Sequence, residues 1–319
     1  MPPFKLSIYF CSAILLALSV SAHGTANAQD DWFPSPYGAD DEIGASNNLS
    51  EQGTRKAAKL VKIGKTYALG VVTGKQTPAY PGRSYKTVIV PIDDGGGEPI
   101  GRNQVTGHDD VLLSHIGIGS QIDGLAHLGI NRRHYNGVHA RDFYRSDGVV
   151  KFGTENIPPT ATRGILLDMT RHYGVSPVPP GTVFDVKAIK AAAKAANVKI
   201  RKGDVVLFHT GWLDLASSDP EAFIATQPGL GAKAAEYLAS KGVVMVGADS
   251  AALEAIPFEE ADKPFIVHQI LLAKNGVYIL ENINTAELAA DGATSFMFVL
   301  GQSRFEGTVQ AVINPIAIR

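Results

Sequence analysis

The chain predicts a mixed α/β fold, and three observations carry that reading. Apolar runs of strand length, such as residues 205–209 and 277–280, are bounded by glycine or charged residues. Alanine- and lysine-rich stretches, above all residues 186–197, favour helix. The two kinds of segment follow one another irregularly, without the strict strand–helix repeat of a doubly wound sheet.

Taken in order, residues 32–48 are rich in Pro, Gly and Asp and form an extended lead-in. Ser50 is placed to cap a helix over 51–61. Strands follow at 67–72 and 86–90, with a loop at 78–83 and a turn at 93–97. The triple glycine of that turn is not a phosphate loop, because no Gly-Lys-Ser/Thr follows it. A strand at 164–169 ends in Asp168; a helix spans 186–197, a strand 205–209, a helix 233–240 and a strand 243–247. A helix over 266–274 is closed by Gly276, which suits a C-terminal cap, and leads into the strand 277–280. Strands at 296–300 and 310–313 close the sheet.

The most informative stretch is Ile118-Gly119-Ser120-Gln121-Ile122-Asp123-Gly124-Leu125-Ala126-His127, which sets an amide, a carboxylate and an imidazole among apolar residues and glycine. Read as a strand, it turns Ile116, Ile118 and Ile122 to a core and Gly117, Gly119, Gln121 and Asp123 to a pocket.

This stretch resembles the signature of the metal-dependent cyclase family of hydrolases, which includes kynurenine formamidases, isatin hydrolases and dienelactone hydrolase relatives. Its pattern is His-x-Gly-Thr-His-x-Asp-x-Pro-x-His. Gly119, Asp123 and His127 match, and Ser120 stands for threonine. Gly117 and Gln121 replace two histidines, and Leu125 replaces the proline. The segments Asp40–Asn47 and Gly203–Trp212, the run Gly247-Ala248-Asp249-Ser250, and His268 and Glu281 also have counterparts in the family. The resemblance implies a β/β/α arrangement of the swivelling kind, a largely antiparallel sheet or barrel with outer helices, over residues 29–319 as a single domain. It also implies a homo-oligomer acting on a small molecule.

The resemblance makes His268 and Glu281 metal ligands, and chain geometry lets them meet. The helix after His268 climbs about 10 Å over some seven residues. After Gly276 the strand to Glu281 runs back roughly 16 Å. Glu281 also ends the apolar run Val277-Tyr278-Ile279-Leu280, where an unpaired charge is costly. The implied ligands are Gln121, Asp123, His268 and Glu281, an oxygen-rich set that places Mn²⁺ ahead of Zn²⁺, and the loss of the two signature histidines argues for one divalent ion. Gln121 has a rival role as a hydrogen-bond donor to substrate, and Asp123-Gly124 has one as a turn. His127 is the candidate general base. Trp212 and Tyr135 form an aromatic wall for a flat substrate or pack in the core. His108, His115, His134, His139, His172 and His209 read as structural, and Glu254, Glu259 and Glu260 as a solvated acidic surface.

A net charge of -2 with no long Lys/Arg block gives no electrostatic case for nucleic acid. Lys5, the apolar residues 8–20 and Ala26-Asn27-Ala28 read as a signal peptide over residues 1–28, with a membrane anchor as the rival. The only cysteine, Cys11, lies inside it, so the processed chain has neither disulfide nor thiol nucleophile and is expected secreted or periplasmic, free of the membrane. The absence of a Gly-x-Ser-x-Gly elbow counts against a serine hydrolase. The expectation is a metal-dependent hydrolase of a small amide, cyclic imide or lactone, against a secreted binding protein that has lost catalysis on the same fold.

Overall fold

Short hydrophobic strands spaced by helical segments assemble, in the computed structural model, into one large curled mixed sheet with helices around it. Residues 32–91 and 98–319 are described; the signal segment and the turn at 93–97 lie outside them. The sheet strands are β1 (Thr66–Ala68), β2 (Gln121–Asp123), β3 (Thr160–Asp168), β4 (Val205–His209), β5 (Met245–Ala248), β6 (Tyr278–Glu281), β7 (Ser295–Leu300), β8 (Gln310–Val312) and β9 (Ile316–Ile318). Their spatial order is β1-β9-β7-β3-β4-β5-β6-β2-β8.

The pairings on both flanks are antiparallel, as the family resemblance implied. The centre is not, because β3, β4, β5 and β6 run parallel. Parallel neighbours need a crossover, and each of these three connections carries a helix. They are α2 (Val186–Ala195), α3 (Ala232–Ser240), and α4 (Ile266–His268) continued by a π-helix at Gln269–Lys274. The first helix, α1 (Glu51–Ala58), is capped as expected: the Ser50 side chain accepts from the Gly53 amide.

Strand alternation divides the core into two layers. Ile165, Leu167, Val206, Phe208, Val246 and Ile279 face Ile189, Leu238 and Leu271 of the crossover helices. Leu166, Leu207, Ile122, Leu280, Phe296 and Phe298 pack on the other face with Tyr67 and Leu288.

Two predicted strands are shorter than expected. β1 stops at Ala68: Leu69 N still donates to Pro315 O, but the proline has no N–H to return the bond, and Val71 N turns to the Ser120 hydroxyl. The strand read over 116–123 is reduced to Gln121–Asp123, since Gly119 sits at φ +73, which interrupts the extended backbone. The regular alternation proposed for Ile116 to Gly119 therefore does not exist, although Gln121 and Asp123 do share one face.

Candidate metal centre

Register places the polar side chains. Antiparallel pairing sets Glu281 opposite Gln121, and Ile279 opposite Asp123. On the other side, Gln310 of β8 stands opposite Asp123. Gln121, Asp123, Glu281 and Gln310 therefore lie on one face of three adjacent strands, within reach of directly opposite or diagonal neighbours. That is the face covered by the crossover helices, and His268 descends onto it at the end of α4, where the π-helix begins.

His268 Nε2 lies 3.2 Å from Glu281 Oε1 and 3.7 Å from Asp123 Oδ2. The three residues are 0–4% exposed. Their ligand atoms all lie within 4.8 Å of one another. Bonds of about 2.0–2.2 Å to one ion separate its ligands by about 3–4 Å, so this trio fits a single divalent cation. Two further facts support the fit. Among the described residues, Asp123 Oδ2 and Gln121 Oε1 are buried without a hydrogen-bond partner. The donor set, carboxylates with one imidazole, is one that divalent metals accept.

Gln121 belongs to the cluster by contact. Its Nε2 donates to Glu281 Oε2 at 2.7 Å and to Asp123 Oδ1 at 3.3 Å. Turning that carboxamide over exchanges its nitrogen for its oxygen, which lets one residue hold the carboxylates by hydrogen bonds or offer an oxygen to an ion.

The electrostatics follow from burying several carboxylates around one imidazole. Burial pushes the Asp123 carboxyl up, but the His127 charge, the neighbouring His268 imidazole and the bond from Gln310 outweigh it and hold it at about 2. Burial and the Asp123 charge raise Glu281 to about 7, against the opposing pull of His268 and Arg83. His268 is lowered by burial and raised more by the neighbouring carboxylates of Asp123, Glu254 and Glu281, ending well above the usual imidazole value. Burial lowers His127, with Asp123 partly opposing, so that imidazole is neutral at pH 7. The rings of His127 and His268 are 6.5 Å apart.

Several residues were not legible as site residues. Glu254, read as solvated surface, is 2% exposed, and its Oε1 lies 2.7 Å from His268 Nδ1. That corrects the reading: it is a buried carboxylate bonded to the imidazole of the candidate metal group. The signal was present, since Glu254 interrupts the apolar run Ala251-Ala252-Leu253 and Ala255-Ile256 much as Glu281 ends one. Glu259 and Glu260 are exposed as expected. Gln310 Nε2 donates to Asp123 Oδ1 at 2.7 Å. Tyr80 and Arg83, from the loop before the hairpin strand Tyr85–Pro91, lie beside the cluster, and their charges and dipoles act on Glu281 and Asp123.

Tyr135 and Trp212 do not form the aromatic wall. Tyr135 is buried against Phe152, with its hydroxyl donating to Asp41 at 2.6 Å and within 2.5 Å of Ser35 Oγ. Trp212 is buried with Phe223 and Ala251, its indole N–H donating to Phe223 O. Both rings are held by core packing and their own polar tips, which leaves no face for a ligand. A cavity of about 470 Å³ does lie nearby, lined by Val71, Pro78, Gly119, Leu213, Phe223 and Asn282. Trp212 backs its wall rather than lining it. Asp123, His268 and Glu281 do not line this cavity either, although Asn282 follows Glu281 directly in the chain.

His209, read as structural, has its Nδ1 within 2.8 Å of Thr285 Oγ1 and 3.2 Å of Asp249. His115 is exposed and accepts from the Ser84 amide.

No curated protein sequence matches the chain. Among solved structures it is similar to a protein described as a novel cyclase, at 27% identity and TM-score 0.79 over 89% of this chain and 98% of that one. It shares the fold of isatin hydrolase A from Ralstonia solanacearum, with 16% identity and TM-score 0.60 over 80% and 92% of the two chains. It also shares that of a potential metal-dependent hydrolase with cyclase activity, with 20% identity and TM-score 0.50 over 79% and 98%. The model of the family described as "Putative cyclase" matches residues 66–255. That span is more than half of the chain and contains Asp123, His127 and Glu254, so the protein belongs to the cyclase family.

Proposed function

We propose that the protein is a metal-dependent hydrolase of a small amide, cyclic imide or lactone. The observation that carries this reading is the buried Asp123–His268–Glu281 group, with Asp123 Oδ2 and Gln121 Oε1 left unpartnered beside it. Asp123, His268 and Glu281 are the proposed ligands of one divalent ion, Mn²⁺ ahead of Zn²⁺, and Gln121 completes the set through its carboxamide oxygen. When bound, that ion supplies Lewis acidity to the scissile carbonyl and to the attacking water. Glu254 holds His268 in the tautomer that leaves Nε2 free for the ion.

His127, neutral at pH 7, takes the proton from water as its oxygen adds to the acyl carbon. It returns that proton to the departing nitrogen or oxygen as the C–N or C–O bond breaks, so that a carboxylate and an amine or alcohol group result. A cavity of about 470 Å³, lined in part by Asn282, the residue after Glu281, is of a size that suits a small ligand. The proposed setting is outside the cytoplasm.

The test begins with elemental analysis of purified protein and reconstitution with Mn²⁺ or Zn²⁺, followed by assays on a panel of amides, imides and lactones. Glu281→Gln is expected to weaken metal binding far more than His127→Ala, and failure to bind either ion at micromolar concentration overturns the metal reading. The rival reading, a binding protein without catalysis, draws on Gln121 hydrogen-bonding the carboxylates unaided. Metal-dependent turnover of any panel member removes it.

A further inference from the structure

Gly117 stands where the family signature has a histidine, and the space beside it is filled from elsewhere in the chain. A Cβ added to Gly117 would meet Arg83 Nη1 at 2.7 Å and Gln310 Oε1 at 2.8 Å. Arg83 Nη1 also donates to the Gly117 carbonyl. Gln310 in turn donates to Asp123, so the contacts run from Arg83 past Gly117 and Gln310 to a proposed metal ligand. The guanidinium therefore sits at the edge of the acidic cluster because residue 117 has no side chain.

Arg83 is poorly satisfied there. Among the described residues it has no carboxylate within 4.0 Å and makes one side-chain hydrogen bond, leaving most of its donors free. The guanidinium carbon lies over the Tyr80 ring, 5.4 Å from its centre, a cation–π contact that holds the two side chains together. Tyr80 Oη is itself buried with no hydrogen-bond partner among the described residues. Burial first, then the charges of Glu281, Glu254 and Asp123, raise the phenol above its usual value, so it keeps its proton and is a donor throughout the neutral range. The guanidinium carries free N–H groups and the neutral phenol a free O–H, so this corner of the site offers donor hydrogens that lack an acceptor.

We propose that Arg83 and Tyr80 form a carboxylate-binding subsite that holds the anionic group of an acyl substrate or product beside the Asp123–His268–Glu281 cluster. The inference rests on that cluster being the active site. Hydrolysis of an amide or lactone turns a neutral carbonyl into a carboxylate, so a paired guanidinium and phenol at this edge favour the group that gains charge. A guanidinium presents two parallel N–H groups to the two oxygens, which selects a carboxylate over a neutral amide of the same shape.

The probes are benzoate, its neutral isostere benzamide, acetate and phenylacetate, titrated by calorimetry into wild type, Arg83→Gln, Arg83→Lys and Tyr80→Phe. Each protein is measured with and without Mn²⁺, with metal content and melting temperature taken on the same samples. Wild type is expected to bind at least one carboxylate more tightly than benzamide. Arg83→Gln should weaken carboxylate binding by about 10–100-fold while leaving benzamide unchanged, the scale of one lost charge-assisted pair. Arg83→Lys should fall between, and Tyr80→Phe should lose less than Arg83→Gln. Equal carboxylate affinity in wild type and Arg83→Gln overturns the proposal, as does a wild type that binds none of the three carboxylates in either metal state. Arg83-dependent binding in protein that takes up no metal retains this subsite and removes the metal reading. Metal uptake with Arg83-independent binding does the reverse.

Discussion

Glu254 accepts a hydrogen bond from His268 at 2.7 Å and so decides which imidazole nitrogen faces the cluster. Glu254→Gln is expected to lower metal affinity by about 10–100-fold, the usual cost of losing a carboxylate behind a ligand histidine. Competition with a chelating dye measures it, and an unchanged affinity removes Glu254 from the site. Proton linkage gives a second expectation. Glu281 titrates near 7 and His268 well above its usual value, and an ion needs both deprotonated. Affinity should therefore rise with pH through the neutral range, by about tenfold per pH unit for each proton that the ion displaces. Both groups bind protons more tightly folded than unfolded, so their contribution to metal-free stability falls as pH rises from about 4.5 upward, and added metal should reverse that trend. A pH-independent affinity between 5.5 and 8 contradicts both assignments. For turnover, His127→Ala should keep metal and fold while lowering kcat by about 10²–10⁴, with partial recovery at high pH. Near wild-type kcat with the same pH profile would remove His127 from the mechanism.

The element that brings His268 to Glu281 is the turn between the π-helix and β6. Gly276 N donates to Leu272 O and Val277 N to Leu271 O, closing the helix before the chain reverses. Gly276 has φ +61, and a Cβ there would come within 2.7 Å of the Gly44 backbone and 2.6 Å of the Tyr135 ring. Neither neighbour is free to move: Ala45 N donates to the Gly276 carbonyl, and Tyr135 is anchored through its hydroxyl. Gly276→Ala is expected to destabilise the protein by about 2–4 kcal/mol, through positive-φ strain and overpacking together. Chemical denaturation measures this, and a loss under about 0.5 kcal/mol would mean the turn is not under that constraint. Ser120 has a comparable part in positioning the site loop. Its hydroxyl donates to Asn282 O and accepts from Val71 N, tying the start of the loop that carries Tyr80 and Arg83 to the end of β6.

At the scale of the whole molecule, the hairpin Tyr85–Pro91 with His108–Ser114 stands apart from the sheet. Val88, Val111 and Leu113 share one of its faces and are 40%, 53% and 70% exposed; Ile89 and Leu112 are exposed on the other. A two-stranded arm with apolar residues on both faces is marginal in water and presents a surface suited to a partner. We expect that partner to be a second copy of this chain, in keeping with the homo-oligomer implied by the family resemblance. Light scattering after size exclusion should give a mass of at least a dimer, and Val111→Asp combined with Leu113→Asp should shift it to monomer. A monomeric wild type at micromolar concentration would rule the arm out as an interface. No helix among the described residues is long and apolar enough to cross a membrane.

The sequence alone determined what local chemistry can encode. The apolar run of β4 appeared with its bounds intact, and Ser50, Gly276 and the alanine-rich helix behaved as their side chains require. Asp123, His268 and Glu281 were singled out by the family resemblance, helix rise and strand rise allowed the last two to meet, and the structure brings the three together. The tertiary structure alone decided the rest. Glu254, Gln310, Tyr80 and Arg83 reach the cluster through crossovers and register, and no local pattern encodes a contact across 14 residues for Glu254 or 187 for Gln310. It also decided that the sheet has a parallel centre and that Tyr135 and Trp212 are core residues. Burial on both sides of a ring depends on which segments fold over it, and that is a property of the assembled chain.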